Sequence, residues 1–175
     1  MTAPESTRES ARESRLGAGG IAFVLCLAVL TACGIAGLLA KRPLLFPSLG
    51  PTVMLFFTTP TDRSAAVRSA LAGHLVAILA GAGCLALFGL TTHESVLQEG
   101  LTAPRIAAAA LSVAVTTLVL ALLGTPHPPA GATTLIVSLG LITSAAGLAS
   151  IAVAVVLVTV LSVVLNRLRG VRQPL

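Results

Sequence analysis

Between Ala130 and Leu165 the chain runs for 36 residues without a charged side chain. A helix of about 20 residues crosses roughly 30 Å of hydrocarbon, so this stretch alone is long enough for a membrane span with a further segment before it. Three more uncharged runs, Ile21–Ala40, Ser69–Leu90 and Ile106–Gly124, are each long enough for one crossing. In a chain of 175 residues that is 55% hydrophobic and 10% charged, so many apolar runs define an all-α integral membrane protein. They exclude a soluble enzyme, a secreted mini-protein and a disordered tail.

The formal charge of +5 sits at the ends of the apolar runs, not in a patch interleaved with aromatics, which argues against a nucleic-acid partner. Arg8, Arg12 and Arg15 precede the first span and Arg167, Arg169 and Arg172 follow the last. Under the positive-inside tendency both termini are expected in the cytoplasm, with an even number of crossings of the cell membrane. Residues 1–18 read as a solvated tail of mixed charge, and residues 19–172 as one transmembrane domain. Cys26, Cys33 and Cys84 all fall inside apolar runs and read as small packing residues.

Two segments break the helical pattern. After Lys41-Arg42-Pro43 comes Phe46-Pro47-Ser48-Leu49-Gly50-Pro51-Thr52, apolar but with two prolines and a glycine that forbid a continuous helix before about residue 51. After Gly124 comes Thr125-Pro126-His127-Pro128-Pro129-Ala130-Gly131-Ala132-Thr133-Thr134. An offset of 81 residues lays Pro47 on Pro128, Gly50 on Gly131 and Thr52 on Thr133, with Leu39 and Ala40 falling on Leu120 and Ala121. A shared Pro-x-x-Gly-x-Thr element between long spans reads as an internal duplication, with repeats of about residues 21–90 and 102–168. Each half then holds two long helices and one half-helix.

Non-helical backbone at membrane depth persists only where protein buries it or water reaches it. Paired broken segments in matching places of two halves point to a transport site. A helix that starts at depth also aims its free amide protons and positive dipole end at the interior. No Asp or Glu lies inside any span, and the ionisable groups at plausible depth are His74, His127 and Arg68. Cation-coupled transporters commonly bury carboxylates, so a neutral-to-positive interior favours a small anion. Pro47, Ser48, Gly50 and Thr52 at the first break and His127, Pro128, Pro129, Gly131, Thr133 and Thr134 at the second are therefore candidate substrate-binding residues, with Arg68 and His74 from span two. Nothing in the pattern calls for a metal, a cofactor or a catalytic set.

His127-Pro128-Pro129-Ala130-Gly131-Ala132-Thr133, behind a span and leading into an apolar run, resembles the signature of the HPP family of small integral membrane proteins. Phe46–Thr52 resembles that family's earlier element, and Arg68-Ser69 through Gly73-His74 is similar to its Pro-Arg-Asn-x-x-x-Gly-His pattern. The likeness covers about residues 20–172. It implies a four-span protein, adds Ser69 to the candidate substrate contacts, and implies transport of nitrite, to which chloroplast and cyanobacterial members have been linked. Two positions depart from the pattern: Val67 stands where the family often has proline, and Ser69 where it often has asparagine.

Four crossings would make the halves parallel, and six would make them inverted. Six places Arg63 and Arg68 on the cytoplasmic side and Arg105 on the other, which improves the charge asymmetry and favours the inverted arrangement. Gly73, Ala77 and Gly81 form a small-residue stripe that admits a close helix neighbour, and so small a chain is expected to work in lipid as a homo-oligomer, a dimer or trimer. A channel or transporter for a small inorganic anion is the first functional reading. A structural or sensory membrane module without net transport is the second.

Overall fold

The computed structural model describes residues 5–174, with side chains from residue 16 onward. Among the described residues seven α-helices follow in order: α1 Glu5–Ala40, α2 Leu49–Thr58, α3 Val67–Leu87, α4 Val96–Glu99, α5 Ala103–Leu123, α6 Pro129–Ser138 and α7 Ala145–Leu168, with a 3₁₀ turn at Arg63–Ala65. Leu16–Ala40 of α1 together with α3, α5 and α7 are long and apolar enough to cross a membrane. The expected tail falls largely outside the described side chains, and from Glu5 its backbone continues α1 as helix.

The two short helices are ten residues each, or about 15 Å, half of a bilayer core. Both start where proline blocks an earlier helix. α2 begins at Leu49, two residues before the expected Pro51, because its turn closes from Leu49 N–H to the Phe46 carbonyl and Pro51, lacking an amide proton, is tolerated within the first turn. α6 opens on Pro129, a favoured first helical residue.

Both start below the ends of the long helices before them. The chain folds back after α1, so that Cys33 Sγ–H donates to the Leu44 carbonyl at 3.0 Å and Gly34 faces the Leu45 side chain. After α5 it folds back in the same way, and His127 comes to lie against Gly73, nearly two turns inside α3.

Cross-chain contacts give the direction of every long and half helix. Asn166 near the end of α7 donates to the Phe56 carbonyl near the end of α2, and Val67 N–H at the start of α3 donates to the Pro174 carbonyl behind α7. Arg63 reaches the Gly124 carbonyl at the end of α5, and Arg105 at its start reaches the Ser138 carbonyl at the end of α6. The end of α1 lies beside the start of α7, where Ala40, Arg42 and Leu44 share a hollow with Ala146, Ala149 and Ser150. Long, short and long therefore alternate in direction twice, and α1–α3 run opposite to α5–α7. Residues 63–68 share an end with the C-terminal tail, and Lys41, Arg42 and Arg105 lie at the other end. These helix directions match the inverted, six-pass expectation, with non-helical chain beginning each return and a half-helix continuing it.

The core lies where α2 and α6 are clasped. Leu49, Val53 and Phe57 of α2 pack with Val29 and Cys33 of α1 and with Ile151, Ala154, Val155 and Val158 of α7. On α3, Gly73, Ala77 and Gly81 are buried, and a Cβ on Gly73 would stand 2.9 Å from His127 Cβ while one on Gly81 would stand 2.7 Å from Val137 Cβ. The small-residue stripe is thus occupied by α6 of the same chain. Leu38, Leu39, Leu122 and Leu168 remain widely exposed on outer faces, as expected of side chains that meet lipid.

Candidate functional site

Four buried side chains meet where the two half-helices begin. His74 from α3 stands between them: its Nε2 is 3.0 Å from Thr52 Oγ1 of α2 and its Nδ1 is 2.7 Å from Thr133 Oγ1 of α6. His127 closes the group, with Nε2 3.3 Å from both Thr52 Oγ1 and His74 Nε2. The two rings meet edge-on at 67°, centroids 5.0 Å apart. None of the four residues is more than 2% exposed. Thr52 and Thr133, equivalent under the 81-residue offset, so bind opposite nitrogens of one imidazole.

The network assigns the protons. His127 Nδ1 lies 2.8 Å from the Ser64 carbonyl, which only accepts, so Nδ1 carries hydrogen and neutral His127 presents a lone pair at Nε2. If His74 also presented a lone pair at Nε2, two lone pairs would face each other with only the Thr52 hydroxyl hydrogen to serve them, and Ser48 O, 3.0 Å away, competes for that hydrogen. His74 therefore carries its hydrogen at Nε2, and Thr133 donates to Nδ1.

Glycine makes the approach possible. With no Cβ at Gly73, the His127 side chain enters against the α3 backbone, and Gly81 lets Val137 do the same two turns on. The two half-helix starts differ in their supply of free amide protons: the α6 start keeps few, whereas at the α2 start Gly50 and Thr52 N–H have no backbone acceptor among the described residues. Pro51, Pro128 and Pro129 have none, and Leu49, Ala130 and Gly131 N–H donate to the carbonyls of Phe46, His127 and Pro128.

The remaining predicted residues separate. Ser48 is fully buried beside Thr52, its hydroxyl without a partner among the described residues. Ser69 is buried on α3, and Gly50 and Gly131 are half-buried. Pro129 is buried, while Pro47 and Pro128 are exposed. Thr134 turns away, donating to the Ala130 carbonyl and meeting Thr116 Oγ1 at 3.0 Å. Arg68 is exposed and makes no contact with the cluster: six residues before His74, it lies about 120° around the helix from it.

Sequence reasoning missed three groups. Arg105, read only as a topology charge, is 1% exposed; its Nη2 donates to the Glu94 carbonyl at 2.7 Å and its Nη1 lies 3.5 Å from the Ser138 carbonyl. Asn166, fully buried, donates from Nδ2 to the Phe56 carbonyl at 2.8 Å. These two hold the C-terminal ends of α6 and α2, where unpaired carbonyls concentrate. The third is the Ser64 carbonyl, a backbone atom.

A hollow of about 610 Å³ lies between α5 and the start of α6 and reaches the cluster at His127 and Gly131. Thr116, Thr117 and Leu120 line it, and Arg63 stands on its wall with the guanidinium on Gly124.

Four helices long and apolar enough to cross a membrane, two half-helices between them and a buried polar cluster where the half-helices begin define a multi-span membrane protein with a candidate site at that cluster. The transmembrane region of the HPP family matches residues 8–174, and the chain belongs to that family. No curated protein and no solved structure matches it.

Proposed function

We propose that this protein is a channel or transporter for a small inorganic anion, with nitrite the first candidate, and that the substrate passes the His74–His127–Thr52–Thr133 cluster. The observation that carries the reading is the bridge itself: equivalent threonines of two half-helices meet on one histidine at the place where both positive helix ends converge. The hollow with Arg63 on its wall supplies an approach of suitable sign. On this reading the two halves descend from one duplicated unit, and the Arg-rich end that carries residues 63–68 and the C-terminal tail faces the cytoplasm. The protein acts in the cell membrane as a homo-oligomer.

One observation favours the second reading, a structural or sensory module. All four side chains of the cluster find hydrogen-bond partners among themselves and with the backbone, as a purely architectural polar core would. Solvent access separates the two. With Cys26, Cys33 and Cys84 replaced, a Thr133→Cys thiol that reacts with a small aqueous reagent, more slowly when nitrite is present, supports the transport site. A thiol that reacts from neither side supports the module.

A further inference from the structure

The proposed site has a charge problem. An anion entering the cluster meets no fixed positive group: among the described residues no Lys, Arg, Asp or Glu side chain bonds to any of its four members. From α2 His74 faces Thr52, from the segment before α6 it faces His127, and from α6 Thr133. Arg63 is turned to Gly124, Arg68 is exposed, Arg105 is held by Glu94 and Ser138 at the far end of α5, and Arg169 of α7 donates to Asn166. At the start of α6, on which Thr133 stands, proline and turn hydrogen bonds remove the amide protons of residues 128–131, and the partial charge of a helix end is no fixed cation. Beyond the cluster the buried faces of the half-helices carry no charge: Val53, Phe56 and Phe57 on α2, and Ile136 and Val137 with the neutral hydroxyls of Thr134 and Ser138 on α6. A bare anion would be costly in such surroundings.

We propose that the substrate class is the anion of a weak acid, which takes up a proton at this cluster and moves on as the neutral acid, so that one proton crosses with each anion. The inference rests on the transport reading above. The geometry supplies the step. In the neutral cluster Thr133 donates to His74 Nδ1 across 2.7 Å. When a proton arrives at Nδ1, His74 becomes an imidazolium and donates to Thr133 Oγ1, so the Thr133 hydroxyl hydrogen swings away and becomes a donor for the anion. The anion then takes that hydrogen while Thr133 Oγ1 takes the one on Nδ1. No net charge is left behind: the anion has become its acid, His74 is neutral again, and Thr133 once more donates to Nδ1. Thr133 is the relay, and His127, with its Nδ1 hydrogen fixed on Ser64, holds the second ring nitrogen in register.

The test uses the full chain in proteoliposomes with a pH dye in the lumen and an imposed nitrite gradient, against protein-free vesicles to subtract passive acid permeation. Protein-dependent nitrite uptake with lumen acidification, unchanged when a potassium diffusion potential of either sign is applied, is the expected result. Nitrate and chloride, the anions of strong acids, give no acidification. Thr133→Val, which keeps the shape but not the hydroxyl, lowers the protein-dependent nitrite rate at least about tenfold, and Thr133→Ser restores most of it. Folding of each variant is checked by size-exclusion profile. Nitrite flux that follows the membrane potential without acidification would overturn proton coupling and leave the transport site standing. Absence of nitrite flux from folded protein would overturn the transport reading and this inference with it.

Discussion

His74 Nδ1 and Thr133 Oγ1 stand 2.7 Å apart, the closest contact in the buried cluster, and they join the second long helix to the second half-helix. Removing the hydroxyl with Thr133→Val leaves a buried ring nitrogen unpaired, at an expected cost of about 1–3 kcal/mol. Thr133→Ser keeps the bond and is expected to fall within about 1 kcal/mol of the native chain. Denaturant titration in detergent measures both, and equal losses in the two variants would mean that the hydrogen bond contributes nothing.

Gly73 and Gly83 lie on one helix and are expected to respond oppositely. A Cβ at Gly73 meets His127 Cβ at 2.9 Å and Ala130 Cβ at 3.3 Å, whereas one at Gly83 meets nothing within 4 Å. Gly73→Ala must displace the start of α6 and is expected to lose about 1–3 kcal/mol together with transport. Gly83→Ala is expected to gain up to about 1 kcal/mol from helix propensity. Thermal unfolding of the two variants side by side checks the pair.

Arg105 is predicted to matter as a two-carbonyl clamp and not as a surface charge. Arg105→Ala strands the Glu94 and Ser138 carbonyls and is expected to cost about 2–3 kcal/mol. Arg105→Lys recovers only part of this, because one ammonium cannot reproduce the guanidinium fork. Complete recovery by lysine, read from the unfolding midpoint, would contradict the clamp.

The sidedness of residues 63–68 is directly testable. In a chain without native cysteines, Arg68→Cys and Arg172→Cys are expected to label from the same side of a sealed vesicle, and the exposed Leu97→Cys in α4 from the other. Labelling of Arg68→Cys from the side opposite to Arg172→Cys would replace the six-pass arrangement with a four-span one.

Much of this architecture was legible because its signals are local. Pro47, Gly50 and Pro51, like Pro126, Pro128 and Pro129, forbid helix wherever they stand, so the breaks follow from composition. The common offset then paired Thr52 with Thr133, and Gly73 beside His74 marked the face on which a neighbour could approach. Arg68 shares a span with His74, but helical rotation carries it about 120° away and leaves it exposed, a placement that the charge pattern alone does not show. Arg105 was unreadable for another reason: what buries it is how the loop of residues 93–100 just before it folds against the end of α6, 33 residues on.

Anion flux in proteoliposomes, compared between the native chain and His127→Ala, tests the central claim most directly, with nitrite, nitrate, formate and chloride as substrates. The account predicts nitrite flux from the native protein that falls at least about tenfold in the variant. No anion flux from folded native protein, or nitrite flux undiminished in His127→Ala, would contradict it.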